Sequence, residues 1–310
     1  MRCLVTGASG HLGSYLTRLL LSRGHEVAIL VQPQSDLWRI TEVLSEMKLI
    51  YGDLSEMDRV RIEIISLKPH IVFHLAWYGV TNEYRNDPNQ INYNLIGSLR
   101  LLQFVMESGC LCWVGIGSQA EYGPYNGILQ ESLPTRPTTV YGTTKLCTGL
   151  LSRHLCEIAG MRFLWFRLLA TYGPKDDVHH LIPTVILKLQ AHERPALTQC
   201  EQRWDYLFIE DAAEAIYQAG VNSKAQGVFN LGSGQAHSLR NIVEQIRDLI
   251  DPHLPLGFGE LLYRSDQPMH LQADIERFKQ MMGWSPKVSL SDGLLRTVEW
   301  YRGYGDRFCS

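Results

Sequence analysis

Cys3-Leu4-Val5-Thr6-Gly7-Ala8-Ser9-Gly10-His11-Leu12-Gly13 is the stretch that decides the fold. An apolar run leads straight into glycines at every third position, after which Leu16, Leu19 and Leu20 recur at helical spacing. The order is strand, tight loop, helix. Gly7, Gly10 and Gly13 let the backbone turn sharply and approach a pyrophosphate at the helix N-terminus, and Ser9, His11 and Leu12 belong to the same expected cofactor contact. A second apolar run, Glu26 to Val31, completes the strand-helix-strand unit that such a loop requires.

Working outward, apolar strand candidates follow at residues 48–51, 71–75, 112–116 and 162–167, with helical patterns at 95–105 and 143–159 between them. Regular alternation of this kind predicts an α/β, Rossmann-type, doubly wound parallel sheet with ligands at the C-terminal ends of its strands. Those ends carry the next candidates. Gln32 stands where an NAD-preferring site usually has a carboxylate for the ribose 2′-hydroxyl, and its neutrality removes a repulsion against a 2′-phosphate, so NADP(H) is favoured and NAD(H) is the alternative. Ser35, Arg39 and His11 are the side chains that could meet such a phosphate. Asp53, with Leu54 beside it, could accept a hydrogen bond from an adenine amino group; Leu75 and the small Ala76 leave room for a cofactor to lie close, and Trp77 follows them towards the substrate.

Beyond residue 173 the texture changes. Residues 181–191 and 203–219 read as shorter helical and loop pieces, 229–232 as a strand returning to the sheet, and 239–250 as an amphipathic helix ahead of a final one. The expected organisation is a dinucleotide-binding domain at 1–173, with 204–235 returning to it, and a smaller interleaved C-terminal substrate lobe at 174–203 and 236–310.

The 310 residues, 45% hydrophobic and 20% charged with a net charge of −3, describe a globular chain with no basic stripe for nucleic acid. The apolar stretch from Leu16 to Val31 is interrupted by Arg18, Arg23, His25 and Glu26, so it suits neither a membrane span nor a signal sequence, and a cytoplasmic protein is expected. Seven cysteines, Cys3, Cys110, Cys112, Cys147, Cys156, Cys200 and Cys309, include no Cys-x-x-Cys pair and read as reduced. His179-His180 has no matching partner motif, so no metal is expected.

The chemistry is expected at Ser118, Tyr141 and Lys145. Tyr141 and Lys145 are about one helical turn apart and share a face. A free phenol titrates near ~10, and a neighbouring ammonium would bring it towards a useful proton-transfer range. The Ser118 hydroxyl could hold a substrate carbonyl or alcohol oxygen beside that phenol. This is equipment for moving a proton while a hydride moves elsewhere.

Together and in order, Thr6 to Gly13, Gly52-Asp53-Leu54, His74-Leu75-Ala76, Asn94 to Gly97, Ser118 with Tyr141 and Lys145, Tyr172-Gly173-Pro174 and Asp205 to Asp211 resemble the extended short-chain dehydrogenase/reductase family, in its nucleotide-sugar epimerase, dehydratase and reductase group. The resemblance implies a Rossmann domain binding NAD(P) and a lobe binding a nucleoside diphosphate sugar. It makes Tyr141 the acid/base, gives Lys145 the nicotinamide ribose, and has Ser118 orient the reacting oxygen. It implies substrate contacts at Trp77, Ser118, Glu121, Thr171, His180, Arg203 and Arg264. A homodimer built on the helix after Asn94 and the helix carrying Tyr141 is also implied.

Departures from the family pattern narrow the reaction. The acid pair of the 4,6-dehydratases is replaced by Gln119 and Ala120, with Glu121 out of step; Ala120 also replaces the cysteine of the GDP-fucose epimerase-reductases, although His180 sits where their histidine would. Ala170 stands in place of a common Asn, and Trp204 in place of a common Arg, with Arg203 one position earlier. The favoured expectation is an NADPH-dependent reduction of the 4-keto group of a nucleoside diphosphate 4-keto-6-deoxyhexose, of the CDP-abequose synthase type. An NAD-dependent nucleotide-sugar 4-epimerase is the alternative, and a non-catalytic NAD(P) sensor the third reading.

Overall fold

A computed structural model describes residues 1–264 and 267–304. In chain order the elements are β1 (Arg2–Thr6), α1 (His11–Ser22), β2 (Glu26–Val31), β3 (Lys48–Tyr51), α2 (Arg61–Leu67), β4 (Ile71–His74), α3 (Gly97–Glu107), β5 (Cys112–Ser118), β6 (Gly127–Leu129), α4 (Val140–Ile158), β7 (Arg162–Leu168) and β8 (Ala170–Tyr172). There follow α5 (Leu181–Gln190), β9 (Ala196–Leu197), β10 (Arg203–Phe208), α6 (Ile209–Val221), β11 (Gly227–Leu231), β12 (Ala236–Ser238), α7 (Leu239–Ile250), β13 (Gly257–Phe258), β14 (His270–Ala273), α8 (Glu276–Met282) and α9 (Leu290–Tyr304).

The main sheet has seven strands in the order β11-β7-β5-β4-β1-β2-β3, and every pairing in it is parallel. Strands buried on both faces are apolar at consecutive positions, and alternate side chains go to opposite layers. Cys3, Val5, Val27, Ile29, Ile71 and Phe73 pack with Leu16 and Leu20 of α1 and Ala212 and Ile216 of α6. Leu4, Ala28, Leu30, Val72 and Trp113 pack on the other face with Ile64 of α2 and Leu101, Phe104 and Val105 of α3. The doubly wound sheet expected from the sequence is the one observed.

A second sheet runs β12-β10-β14-β6, with β8 also pairing β10, and β9 with β13 forms a third. Around it, α5, α7 and α9 enclose a separate apolar cluster that includes Val185, Ile186, Ile242, Ile246, Leu294 and Val298. On α7 the buried positions Leu239, Ile242, Val243 and Ile246 fall on one helical stripe.

Two expectations about elements are corrected. Residues 203–219 are not one helical piece: Arg203–Phe208 is a strand of the second sheet, and the helix begins at Ile209. The period changes from two to 3.6 at Phe208, and a sequence window spanning the change blurs both. Within 204–235, what meets the main sheet is α6, packed on its face, and Gly227–Leu231, paired beside β7. The helix expected at 95–105 starts earlier, with a π-type stretch over Gln90–Ile96 that runs into α3. It is polar inside, where Gln90 and Asn94 bond to each other at 2.7 Å and to the loop after β4, so no apolar spacing announces it.

Among the described residues no helix is long and apolar enough to cross a membrane, and no cluster of His, Cys, Asp and Glu could hold a metal ion. Six cysteines are free thiols, and Cys309 lies outside the described residues.

Candidate active site

The glycine loop, the ends of β2 to β5 and the first turn of α4 meet at one edge of the main sheet. Gly7 adopts φ +72°, and a Cβ there would lie 2.7 Å from Ala76 N, so the loop and the end of β4 touch backbone to backbone. A Cβ on Gly13 would collide with the carbonyl of Gly7. Gly10 caps α1 without any side-chain hydrogen bond, leaving the first N–H groups of the helix open to an anion. Thr6 Oγ1 accepts from Ala76 N at 3.1 Å and lies 2.8 Å from His74 Nδ1, whose Nε2 lies 2.8 Å from Ser98 Oγ. Burial, followed by the charge on Lys145, pushes the His74 imidazole down to about 3, so it is a neutral strut between β1, β4 and α3.

Ser118 ends β5 and caps the turn that follows: its hydroxyl accepts from Ala120 N at 3.1 Å, and its own N–H donates to Glu121 Oε1 at 3.0 Å. Tyr141 is 8% exposed and hydrogen-bonded to the Ser118 side chain. Thr139 caps α4 through Gly142 N at 3.1 Å. Lys145 is 4% exposed, donates to the Ile116 carbonyl at 2.7 Å and stands 3.6 Å above the Trp77 ring centre. The structure thus brings Ser118, Tyr141 and Lys145 together.

Their electrostatics differ from the expectation. Tyr141 is raised above the ordinary phenol value, first by burial and also by Glu121, while the Ser118 hydrogen bond and the Arg85 charge act the other way. Lys145 is not what lowers it; the ammonium is turned to Ile116 and Trp77. Burial brings Lys145 down to about 7, against the opposing pull of Glu121. Near neutral pH it can therefore give or take a proton.

Glu121 is a correction to the expected substrate contacts. At 1% exposure its carboxylate accepts from Ser118 N, Trp165 Nε1 at 2.9 Å and Arg167 Nε at 2.8 Å. Arg167 passes the chain to the Tyr122 hydroxyl at 3.0 Å, and Tyr122 donates to Asn230 Oδ1 at 2.6 Å. Glu121 faces this network under the strand rather than the cleft.

Beyond the ends of β2 and β3, the Gln32 side-chain amide donates to Asp53, whose other oxygen takes Ser55 N at 2.7 Å. Burial alone would raise the Asp53 carboxyl, but these hydrogen bonds outweigh it and lower it. A negative charge thus stands against Gln32 after all. Leu54 and Leu75 are partly buried beside this edge. His11 and Arg39 are already committed. His11 Nε2 lies 3.1 Å from the Pro174 carbonyl and its Nδ1 3.1 Å from Asp176, and Arg39 donates to the Lys175 carbonyl at 2.8 Å and the Ser9 carbonyl at 3.4 Å. Both ring nitrogens of His11 are thus engaged, whereas Arg39 is held through Nε and Nη1.

The remaining candidates line the second sheet and its approaches. Trp77 donates to Gln90 Oε1 at 2.8 Å and meets Tyr141 edge-on at 6.2 Å, so it walls the site. Thr171 is half-buried in β8, opposite Leu207 of β10. His180 caps α5 and bonds to Asp176 Oδ1 at 2.9 Å, Arg203 donates to the Ala236 carbonyl at 2.9 Å, and Arg264 is exposed beyond β13. Asp205 takes Ser233 N, Gly234 N and Ala273 N within the second sheet and its turn, and Asp211 takes Lys287 N and Val288 N, tying the segment after α8 to α6.

Residues without a pattern in the sequence also enter the site. Asn230, Arg167 and Trp165 form the support under Ser118, and Arg85 lies against Tyr141, its guanidinium carbon 5.5 Å from the ring centre. Arg167 was marked in the sequence only by being a charge inside an apolar strand.

A family model described as the NAD dependent epimerase/dehydratase family matches residues 3–232. A UDP-glucose 4-epimerase of Halalkalibacterium halodurans is 28% identical over 327 residues, which cover 97% of this chain and 96% of that protein. Among solved structures, a UDP-glucose 4-epimerase from Thermotoga maritima with UDP-glucose has a TM-score of 0.90 at 22% identity, covering 98% of this chain and 99% of the other. A dTDP-glucose 4,6-dehydratase from Bacillus anthracis in complex with NAD has a TM-score of 0.87 at 19% identity, covering 99% and 98%.

Proposed function

The chain belongs to the NAD dependent epimerase/dehydratase family, and from that premise we propose that it is a nucleotide-sugar 4-epimerase working with a nicotinamide dinucleotide. The observation that carries the reading is the hydrogen-bonded pair Ser118 and Tyr141 beside a lysine brought down to about 7, at the sheet edge where the glycine loop lies. The uncapped N-terminus of α1 and the bare backbone of Gly7, Gly10 and Gly13 fit a pyrophosphate, with Asp53 and Gln32 at the adenosine end. A nicotinamide dinucleotide held there would supply the hydride acceptor and donor. Ser118 holds the sugar oxygen, Tyr141 moves its proton, and Lys145 steadies the charge beside it. The lobe on the second sheet receives the nucleoside diphosphate, with Thr171, His180, Arg203 and Arg264 as its candidate contacts.

Relatives named UDP-glucose 4-epimerase support the epimerase over the ketoreductase favoured on sequence, and a uridine diphosphate hexose is the first substrate to try. The Asp53 charge against Gln32 favours NAD(H) over NADP(H). Relatives named dTDP-glucose 4,6-dehydratase also match, but Gln119 and Ala120 supply no acid or base for elimination across C5 and C6. The second reading, reduction of a 4-keto sugar with NADPH, is favoured by the absence of a carboxylate at residue 32 itself. Leu150, Leu151 and Ile158 on α4, with Ile91 and Ile96 ahead of α3, are exposed and supply the face for a homodimer, which sedimentation would check.

The test is nicotinamide absorbance with purified protein and a panel of nucleoside diphosphate hexoses and 4-keto-6-deoxyhexoses. Sugar interconversion without net absorbance change, with NAD released on denaturation, is the epimerase result. Loss of reduced cofactor in proportion to sugar consumed establishes the reductase, and no turnover of any sugar overturns both.

A further inference from the structure

Arg85 stands in the loop after β4 and is bound to the start of α4 through its backbone. Its carbonyl accepts Tyr141 N–H at 2.8 Å, and Asn86 Oδ1 accepts Val140 N–H at 3.2 Å, so this loop and Thr139 together close the helix that carries the phenol. The side chain then turns onto Tyr141, with the guanidinium carbon 5.5 Å from the ring centre.

Its Nε is buried without a hydrogen-bond partner. The acids nearest in sequence are engaged elsewhere: Asp87 takes the Tyr78 hydroxyl at 2.9 Å and Asn89 N at 2.9 Å, and Glu83 takes the Thr81 hydroxyl at 3.3 Å. Among the described residues no carboxylate forms an ion pair with Arg85. The residue as a whole is half-buried, so its terminal nitrogens keep access to water while the positive charge lies against the Tyr141 ring.

The other cation at the site stands at nearly the same distance from the ring but has its ammonium engaged elsewhere. Lys145 Nζ is 5.9 Å from the Tyr141 ring centre and donates to the Ile116 carbonyl, against the face of Trp77. The groups facing the phenol are thus Ser118 from the end of β5, Arg85 and Trp77 from the loop after β4, and Lys145 from α4, with the Glu121 charge acting from beneath the strand. Glu121 opposes a phenolate and is itself paired to Arg167.

We infer that Arg85 is a positioning residue of the proton-transfer site, stabilising the phenolate of Tyr141 through its ring so that the phenol oxygen can take the substrate hydroxyl proton and give it back. The proton travels between the sugar oxygen and the Tyr141 oxygen, and none is gained or lost over a full epimerase cycle. The inference rests on Tyr141 being the acid/base.

The experiment compares Arg85→Gln and Arg85→Lys in the full chain. The first readout needs no substrate: ultraviolet difference titration of tyrosinate, with Tyr141→Phe supplying the baseline that isolates this phenol. Arg85→Gln moves the Tyr141 transition to higher pH and Arg85→Lys largely restores it. The second readout is the pH profile of kcat/KM on whichever nucleotide sugar is turned over. Arg85→Gln lowers kcat roughly tenfold near neutral pH, shifts the profile upward and leaves KM little changed. An unchanged titration overturns the inference, and so does a rise in KM with an unmoved pH profile, which would make Arg85 a substrate clamp. If no sugar is turned over, the titration still decides the role of Arg85 while the epimerase reading falls separately. Because the backbone of Arg85 makes the helix contact, both variants should keep the wild-type melting curve; if Arg85→Gln does not fold, Arg85→Lys and the wild type carry the titration.

Discussion

The two ends of the cleft are built differently. At the proton-transfer end, Ser118, Tyr141 and Lys145 are each less than a tenth exposed and rest on a buried network from Glu121 through Arg167 and Tyr122 to Asn230. At the outer end, Gln32, Asp53, His11, Arg39 and His180 are exposed or half-buried, and they pair with one another or with the 174–180 segment. Burial makes each hydrogen bond at the inner end costly to break, whereas solvent can replace most of those at the outer end. The proposed chemistry therefore lies where the protein is least adaptable, and the proposed cofactor discrimination where it is most adaptable.

The largest expected effect tests the inner end directly. Tyr141→Phe removes the hydroxyl that moves the proton while keeping the ring against Trp77, so turnover should fall roughly 10²- to 10⁴-fold. Cofactor binding, followed by calorimetry, should survive because the glycine loop is untouched. Unchanged turnover would remove Tyr141 from the mechanism and leave a binding protein.

Next comes the support beneath. Glu121→Ala leaves the Arg167 guanidinium buried opposite an apolar methyl and frees the Ser118 N–H, at a cost of about 3–5 kcal/mol of folding stability. Chemical denaturation measures this. A loss below about 1 kcal/mol, in the range of an exposed pair, would mean that the inner end is no more rigid than the outer.

The same contrast explains what the sequence revealed. The strand-loop-helix at Cys3 to Gly13 and the apolar runs of β2 to β5 are local patterns, and the sheet followed from them. Ser118, Tyr141 and Lys145 were legible because two of them share a helix turn and the third ends a strand. What is contributed across the fold was not legible: Arg85 reaches Tyr141 from a loop far along the chain, and Asn230 meets Tyr122 from β11. Glu121 misled because its position next to Ser118 suggests the cleft, whereas the turn after β5 aims it beneath the sheet. Lys145 misled in a different way. Spacing placed its side chain near Tyr141, but the carbonyl of Ile116, which draws the ammonium aside, has no sequence signature.

The smallest effect belongs to the outer end, where Asp176 Oδ1 lies 3.1 Å from His11 Nδ1 and 2.9 Å from His180 Nδ1, joining the start of α1 to the start of α5. The hydrogen bond to Asp176 raises His180 above the ordinary imidazole value, with Asp177 helping and burial and Arg39 opposing. Burial alone would raise the Asp176 carboxyl, but His11 and His180 outweigh it and hold it low. A raised histidine adds stability that is fully present below its unfolded value of about 6.5 and is lost as pH rises through the folded value. A depressed carboxylate adds stability present above its unfolded value of about 3.9 and lost as pH falls. The two overlap from about pH 4 to 6.5. With the His180 side chain 57% exposed, solvent screens the pair, and a contribution of a few tenths of a kcal/mol is expected. Melting curves of the wild type and His180→Ala should therefore lie furthest apart in that window and converge as pH rises beyond it. A constant separation would mean that His180 contributes packing at α5 rather than charge, and that the outer end is held by its backbone contacts at Pro174 and Lys175.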